Sequence, residues 1–304
     1  MTRHLLTGTE LTRDDLLAVL RRARELKADP TLGATSLAGA SVALIFHKPS
    51  TRTRVSMEAG VVELGAHPLL LRPDEMQLSR GESVKDTALV LSRHVAAIGI
   101  RTHADALLEE LAAEGSVPVI NLLTEGHHPC QAVADLLTLQ EAFPDRLGAD
   151  GGLDDLRLAY VGDGNNVARS LALVGAIAGL AVTVVAPDGY QLEPGTPATL
   201  ASDPGTGVAG ADALYADVWV SMGDEATADA RRAALEPYRI DDALLDAAAP
   251  GAIALHCLPA HPGEEITAEV LYGDRQRIWD QAENRRHAQK ALLEWALRRG
   301  PFGG

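Results

Sequence analysis

Cysteine is scarce in the 304-residue chain, with only Cys130 and Cys257. They stand far apart and outside any paired metal spacing, so neither a disulfide framework nor a metal site is expected, and a reducing cytoplasm fits. No apolar run reaches the roughly 18 residues a membrane-spanning helix needs. Residues 1–13 are charged and polar where a secretory leader would carry an apolar core, so neither export nor a membrane anchor is expected. Basic charge is also short: 27 Lys and Arg against 42 Asp and Glu leave a formal net charge of -15. That balance repels nucleic acid and anionic membranes, and it requires any anionic substrate to meet a local basic cluster. Internal repeats and low-complexity tracts are absent as well. What remains is a globular composition, 46% hydrophobic and 23% charged, on a chain long enough for two cores of roughly 150 residues each.

Residues 11–27 have apolar positions at helical spacing and read as an opening amphipathic helix that stops before Pro30. Short apolar runs of strand length then follow at 41–46, 67–71, 96–101 and 117–121. They alternate with segments of helical periodicity at 51–64, 84–93, 104–114 and 129–142. This β-α repeat predicts a mostly parallel sheet with helices on both faces. The Gly-, Pro- and Asp-rich segment 142–155 reads as a hinge. A second series is expected beyond it, with strands at 156–161, 181–186, 211–215 and 252–255 and a helix over 166–179. Segment 189–211 looks loosely organised. A final helix over 283–299 stops at Gly300-Pro301.

The first strand opens into His47-Lys48-Pro49-Ser50-Thr51-Arg52-Thr53-Arg54, and a helix begins at once. Ligands of open parallel sheets bind outside the carboxyl ends of strands, where helix N-termini present unpaired N–H groups. Three hydroxyls and two planar guanidinium forks at that point favour a phosphate over the alternative, a capped helix with a solvated basic face. His128-Pro129-Cys130-Gln131 follows another strand, and Arg101 ends a third. Each is open to a structural reading, proline at a first helical turn or a surface arginine. Each also stands at the same sheet edge, where imidazole, amide and guanidinium can hydrogen-bond a carbonyl oxygen.

In the second half, Gly162-Asp163-Gly164-Asn165-Asn166 follows the first strand. It resembles a dinucleotide fingerprint, but Val167 stands where a third glycine is needed. Asp188 would suit a ribose, so an oxidoreductase reading stays open beside one in which the asparagines bind an amino-acid backbone. Asp217 in Asp217-Val218-Trp219-Val220-Ser221-Met222-Gly223 can pair with an ammonium group, and Gly223 permits a hinge. His256-Cys257-Leu258-Pro259 leaves the last strand, its cysteine readable as a small buried hydrophobe.

Taken together, F-H-K-P-S-T-R-T-R (46–54), H-P-C-Q (128–131), D-V-W-V-S-M-G (217–223), H-C-L-P (256–259) and E-N-R (283–285) resemble the ornithine carbamoyltransferase family, within the aspartate/ornithine carbamoyltransferase superfamily. Their order and spacing cover nearly the whole chain. The first two pieces are shared with the aspartate branch; the S-M-G loop and H-C-L-P point to the ornithine branch.

The resemblance implies α/β architecture with two doubly wound parallel-sheet domains and a closing cleft. Carbamoyl phosphate would bind on residues 1–147 and the amino acid on 148–282, with the terminal helix, 283–304, crossing back to the first domain. It assigns Ser50, Thr51, Arg52, Thr53, Gln77, Arg101, His128 and Gln131 to carbamoyl phosphate. Cys257, Leu258 and Arg285 would line the reacting centre, and Asn166, Asp217, Ser221 and Met222 would hold ornithine. Arg52, Arg101, His128 and Cys257 are the implied catalytic group. Gln77 lies in the loop 74–83, which in this family reaches a neighbouring subunit, so a homotrimer is implied. No metal or organic cofactor is required.

Carbamoyl transfer to the δ-amine of L-ornithine, giving citrulline for arginine biosynthesis, is the expected activity. An acylated ornithine or putrescine as acceptor, the oxidoreductase, and a non-catalytic relative that binds carbamoyl phosphate without turnover are the alternatives. Two departures fall in the acceptor half. The stretch from Ala186 to Asp217 is shorter than the family pattern by a helix and a strand, about 15 residues, and His261-Pro262-Gly263 replaces an arginine-glycine pair.

Overall fold

A computed structural model describes residues 2–221 and 225–303. The chain divides into two compact units, Met1–Leu137 with Glu283–Gly304, and Thr138–Ala282. Each is an α/β unit on an all-parallel sheet.

In the first unit the strands are β1 (Ser41–Phe46), β2 (His67–Leu71), β3 (Ala97–Arg101) and β4 (Val119–Leu123), in spatial order β2-β1-β3-β4. The helices are α1 (Arg13–Ala28), α2 (Thr51–Glu63), α3 (Val84–Leu91), α4 (Asp105–Glu114) and α5 (Pro129–Ala142), the last continuing into the second unit. Val42, Ala43, Leu44 and Ile45 of β1 are all buried, because a parallel sheet covered on both faces leaves no polar side for alternation to mark. β4 starts two residues later than its apolar run. Pro118 has no N–H to give the ladder and contributes only its carbonyl, which accepts from Ile98 N at 2.9 Å. From β1 the chain moves outward to β2 and then returns to β3 on the other side of β1. A crevice therefore opens between the carboxyl ends of β1 and β3.

The second unit repeats this logic with β5 (Arg157–Val161), β6 (Ala181–Val185), β7 (Thr199–Ala201), β8 (Ala213–Ala216) and β9 (Ile253–His256), ordered β7-β6-β5-β8-β9. Its switch point lies between β5 and β8. Its helices are α6 (Asn166–Ile177), α7 (Pro204–Gly207), α8 (Ala228–Leu235), α9 (Asp242–Ala247), α10 (Ala268–Tyr272) and the start of α11 (Ile278–Leu297). Segment 189–211 is more ordered than its composition predicts. It holds edge strand β7, whose three residues pair with β6, and the single turn α7. The expected loss of a strand is thus corrected: the strand is present, too short and too exposed to leave an apolar run. Segment 142–155 lies within this unit, where Arg146 pairs with Asp212 and donates to the Asp155 carbonyl. Among the described residues no helix is long and apolar enough to cross a membrane.

From Glu283 onward α11 belongs to the first unit. It buries Asn284, Arg285, His287, Lys290 and Glu294, and buried charge must be paired. Lys290 Nζ meets Glu63 Oε2 at 2.6 Å. Burial and the nearby Lys290 and Arg286 push the His287 imidazole down from 6.5 to about 4. Below its ordinary pKa the unfolded chain binds a proton there that the native chain refuses, so stability declines as pH falls through this window. His287→Gln should flatten that decline between pH 6.5 and about 4, read as thermal midpoint against pH.

Candidate active site

Ser50 caps α2 with extended backbone (φ -158°), yet its hydroxyl makes no cap hydrogen bond. It accepts instead from Arg101 Nη1 at 3.0 Å, across the β1/β3 switch point. The first N–H groups of α2 thus keep their capacity for an anion, and the helix dipole favours one there. Thr53, 1% exposed, accepts through Oγ1 from Arg285 Nη2 of α11. Thr51 is exposed at the first turn and Arg52 half-buried. Arg54 donates through Nε to Glu58 at 2.6 Å, one turn along the helix, a bond that turns its side chain along α2.

His128 and Gln131, at the start of α5, are buried. Burial holds the His128 imidazole well below its usual pKa, and the charges of Arg285 and Arg101 add to this. It is therefore a neutral ring, suited to donating a hydrogen bond to an oxygen rather than to carrying charge. Gln131 donates through Nε2 to Asp135 at 2.8 Å, while its buried Oε1 accepts nothing from the described protein. A buried acceptor of this kind is costly unless a donor reaches it. Cys130 is inert: burial pushes its thiol up to about 12, and it donates to the Asn121 carbonyl. Gln77 is exposed, on the short turn Gln77–Arg80.

In the second unit Asp217 follows β8, at the β5/β8 switch point. Its Oδ2 accepts from Asn165 Nδ2 at 2.7 Å, and its Oδ1 accepts from the Cys257 thiol and from Val218 N, each at 2.8 Å. Asn166 opens α6, and Ser221 is half-buried. Met222 and Gly223 lie outside the described residues. Leu258 takes a left-handed backbone (φ 60°), fixed by its N–H donating to His256 Nδ1 at 2.8 Å. His256 Nε2 in turn donates to fully buried Glu265 at 3.0 Å. The Glu265 carboxylate also takes the backbone N–H of His261, which closes the His261-Pro262-Gly263 turn without an arginine.

Asp217, His256 and Cys257 place one candidate ligand atom each within 4.8 Å of one another. Both imidazole nitrogens of His256 are already bonded, as is the thiol, so the trio is a hydrogen-bonded cluster rather than a ready metal site. The glycine turn also argues against a dinucleotide. A Cβ on Gly164 would meet Leu192 N and Tyr190 O at 2.8 Å, so this glycine is accounted for by the close approach of the chain's own loop rather than by that of a pyrophosphate.

Residues 3–141 match the carbamoyl-P binding domain of aspartate/ornithine carbamoyltransferases, and residues 154–296 match their Asp/Orn binding domain. The chain belongs to the aspartate/ornithine carbamoyltransferase family. An ornithine carbamoyltransferase from Acidothermus cellulolyticus is 50% identical, the match covering 98% of this chain and 97% of the relative. The ornithine carbamoyltransferase structure from Pyrococcus furiosus superposes with a TM-score of 0.88 at 42% identity, covering 96% of each chain. An N-acetyl-L-ornithine transcarbamylase structure is 28% identical at a TM-score of 0.82, covering 95% of this chain and 98% of that one.

Within this carbamoyltransferase the first unit brings together Ser50, Arg101, Thr53, Arg285 and His128, and the second brings together Asp217 and Cys257. Sequence reasoning missed Tyr160, Glu265 and the bonding of Asn165. Tyr160 stands inside a strand and Glu265 follows the H-C-L-P piece at a distance, so neither carries a local signal. Asn165 did have one, an asparagine directly before a helical run, the usual mark of an N-cap.

Proposed function

We propose that the chain transfers the carbamoyl group of carbamoyl phosphate to the δ-amine of L-ornithine, yielding L-citrulline and phosphate in arginine biosynthesis. The observation that carries this is the gathering of Arg52, Arg101 and Arg285 at the N-terminus of α2, in a chain of net charge -15. Ser50, Thr51, Arg52 and Thr53 hold the phosphate. Arg101 and neutral His128 donate to the carbonyl oxygen as it becomes an oxyanion, and preorganised donors of this kind supply most of the rate enhancement in many enzymes. Gln131 Oε1 accepts from the carbamoyl NH2. The attacking amine is neutral; it loses one proton as the C–N bond forms, and the departing phosphate takes it up.

Asn166, Asp217 and Ser221 bind the amino acid, with Asp217 pairing its ammonium group. The stronger similarity to ornithine than to N-acetyl-L-ornithine enzymes supports ornithine as acceptor. Free, buried cysteines fit a cytoplasmic location. The exposed Gln77 fits a homotrimer in which that loop serves a neighbouring subunit, and sedimentation at three times the chain mass would establish it.

Phosphate release from carbamoyl phosphate should be fast with ornithine and far slower with N-acetylornithine, putrescine, lysine or aspartate. Silence with all five would overturn the transferase reading. Arg52→Ala should weaken carbamoyl phosphate binding by about 10- to 100-fold, the loss of one charge-assisted contact. Unchanged binding in a calorimeter would remove that turn from the site.

A further inference from the structure

Asn165 does two things with one amide. Its Oδ1 caps α6, accepting from Val167 N at 2.9 Å and Ala168 N at 3.2 Å, and it also accepts from the Tyr160 hydroxyl at 3.1 Å. Three donors on one atom decide the orientation of the amide: that atom must be oxygen. The NH2 is therefore aimed the other way, at Asp217 Oδ2, 2.7 Å distant. Tyr160 is fully buried and stacks on Tyr215 with ring centroids 5.3 Å apart, which keeps its hydroxyl in place. That hydroxyl also lies 3.5 Å from Asp217 Oδ2, at the limit of a hydrogen bond. Burial and the neighbouring Asp217, Cys257 and Asp163 hold its pKa well above the usual phenol value, so it stays a donor.

Asp217 is thus gripped at both oxygens, by Asn165 on one and by Cys257 and Val218 on the other. A helix cap alone needs only the oxygen of Asn165, and serine or aspartate supply one as well. The remaining NH2 is what this position adds. We propose that Asn165, backed by Tyr160, is a positioning residue that fixes the Asp217 carboxylate for the ammonium group of the amino-acid substrate, and so sets affinity for that substrate. This rests on the assignment of Asp217 to the amino acid and adds to it a residue that touches no substrate.

The test compares Asn165→Asp and Asn165→Ser with the unaltered enzyme. Both keep an oxygen for the cap. Aspartate faces Asp217 with a second anion, and serine is too short to reach it. The KM for ornithine should rise about 10- to 100-fold, the worth of one hydrogen bond to a charged group, while the Kd for carbamoyl phosphate stays as it was. Tyr160→Phe should shift the KM in the same direction by a smaller factor. If Asn165→Asp fails to fold, Asn165→Ser decides. An ornithine KM within about twofold of the parent in the serine variant would overturn the proposal, as would an equal loss of carbamoyl phosphate binding, which marks a general structural defect. Absence of ornithine turnover in the parent enzyme would instead sink the acceptor reading itself, so the two failures are distinguishable.

Discussion

Arg101→Met is expected to lower kcat by roughly 10²- to 10³-fold, the effect of removing one oxyanion donor, the role proposed for Arg101, without lowering stability. Methionine fills similar space and carries no charge into a partly buried position. The wild-type chain forgoes a cap at α2, because the Ser50 hydroxyl is turned to Arg101. In the variant that hydroxyl is released to cap the helix, an interaction of about 1 kcal/mol, so the thermal midpoint should hold or rise. Loss of activity together with undiminished stability is the signature of a group placed for chemistry. A second readout follows from charge. Arg101 is among the causes that keep His128 neutral, so its removal should raise the imidazole pKa toward the ordinary value, visible by NMR titration. A variant that keeps kcat within about threefold would show that the growing negative charge is met elsewhere.

Much of this site was legible as a set of strand exits. In a parallel α/β sheet the chain must present helix N-termini at one edge, so Ser50, Arg101 and His128 could be assigned to that edge of the first sheet, and Asp217 and Cys257 to that of the second, from apolar runs alone. Which exits face each other depends on strand order, and order is set by packing between segments distant in sequence. The bond from Arg101 to Ser50 and the bond from Arg285 to Thr53 span 51 and 232 residues, beyond any periodicity. Residue type alone offered both Arg52 and Arg54, and the resemblance assigned only Arg52; Glu58 stands four residues after Arg54, the spacing at which helical side chains meet. That pairing was readable and separates the two. Strand β7 was not, because an exposed edge of three residues has no pattern to show.

Glu294→Ala should cost about 3–5 kcal/mol of stability, the range for removing one partner of a buried ion pair, and lower the urea midpoint accordingly. Glu294 is fully buried on α11 and accepts from Arg22 Nε at 2.7 Å and Nη2 at 3.1 Å. Arg22, on α1, is 8% exposed. Truncating the carboxylate leaves that guanidinium desolvated, with the Glu25 contact at 3.2 Å and the Leu32 carbonyl at 3.3 Å as its remaining hydrogen bonds among the described residues. The penalty comes from the stranded charge more than from the lost attraction, which a second variant makes testable. Arg22→Met with Glu294→Leu removes both charges and keeps the volume, so it should recover most of the loss. Because Arg285 lies on the same helix and reaches Thr53, loosening α11 should also weaken carbamoyl phosphate binding in Glu294→Ala. The paired variant should restore that binding along with stability. Recovery of stability without recovery of binding would mean that Arg285 does not depend on this anchor.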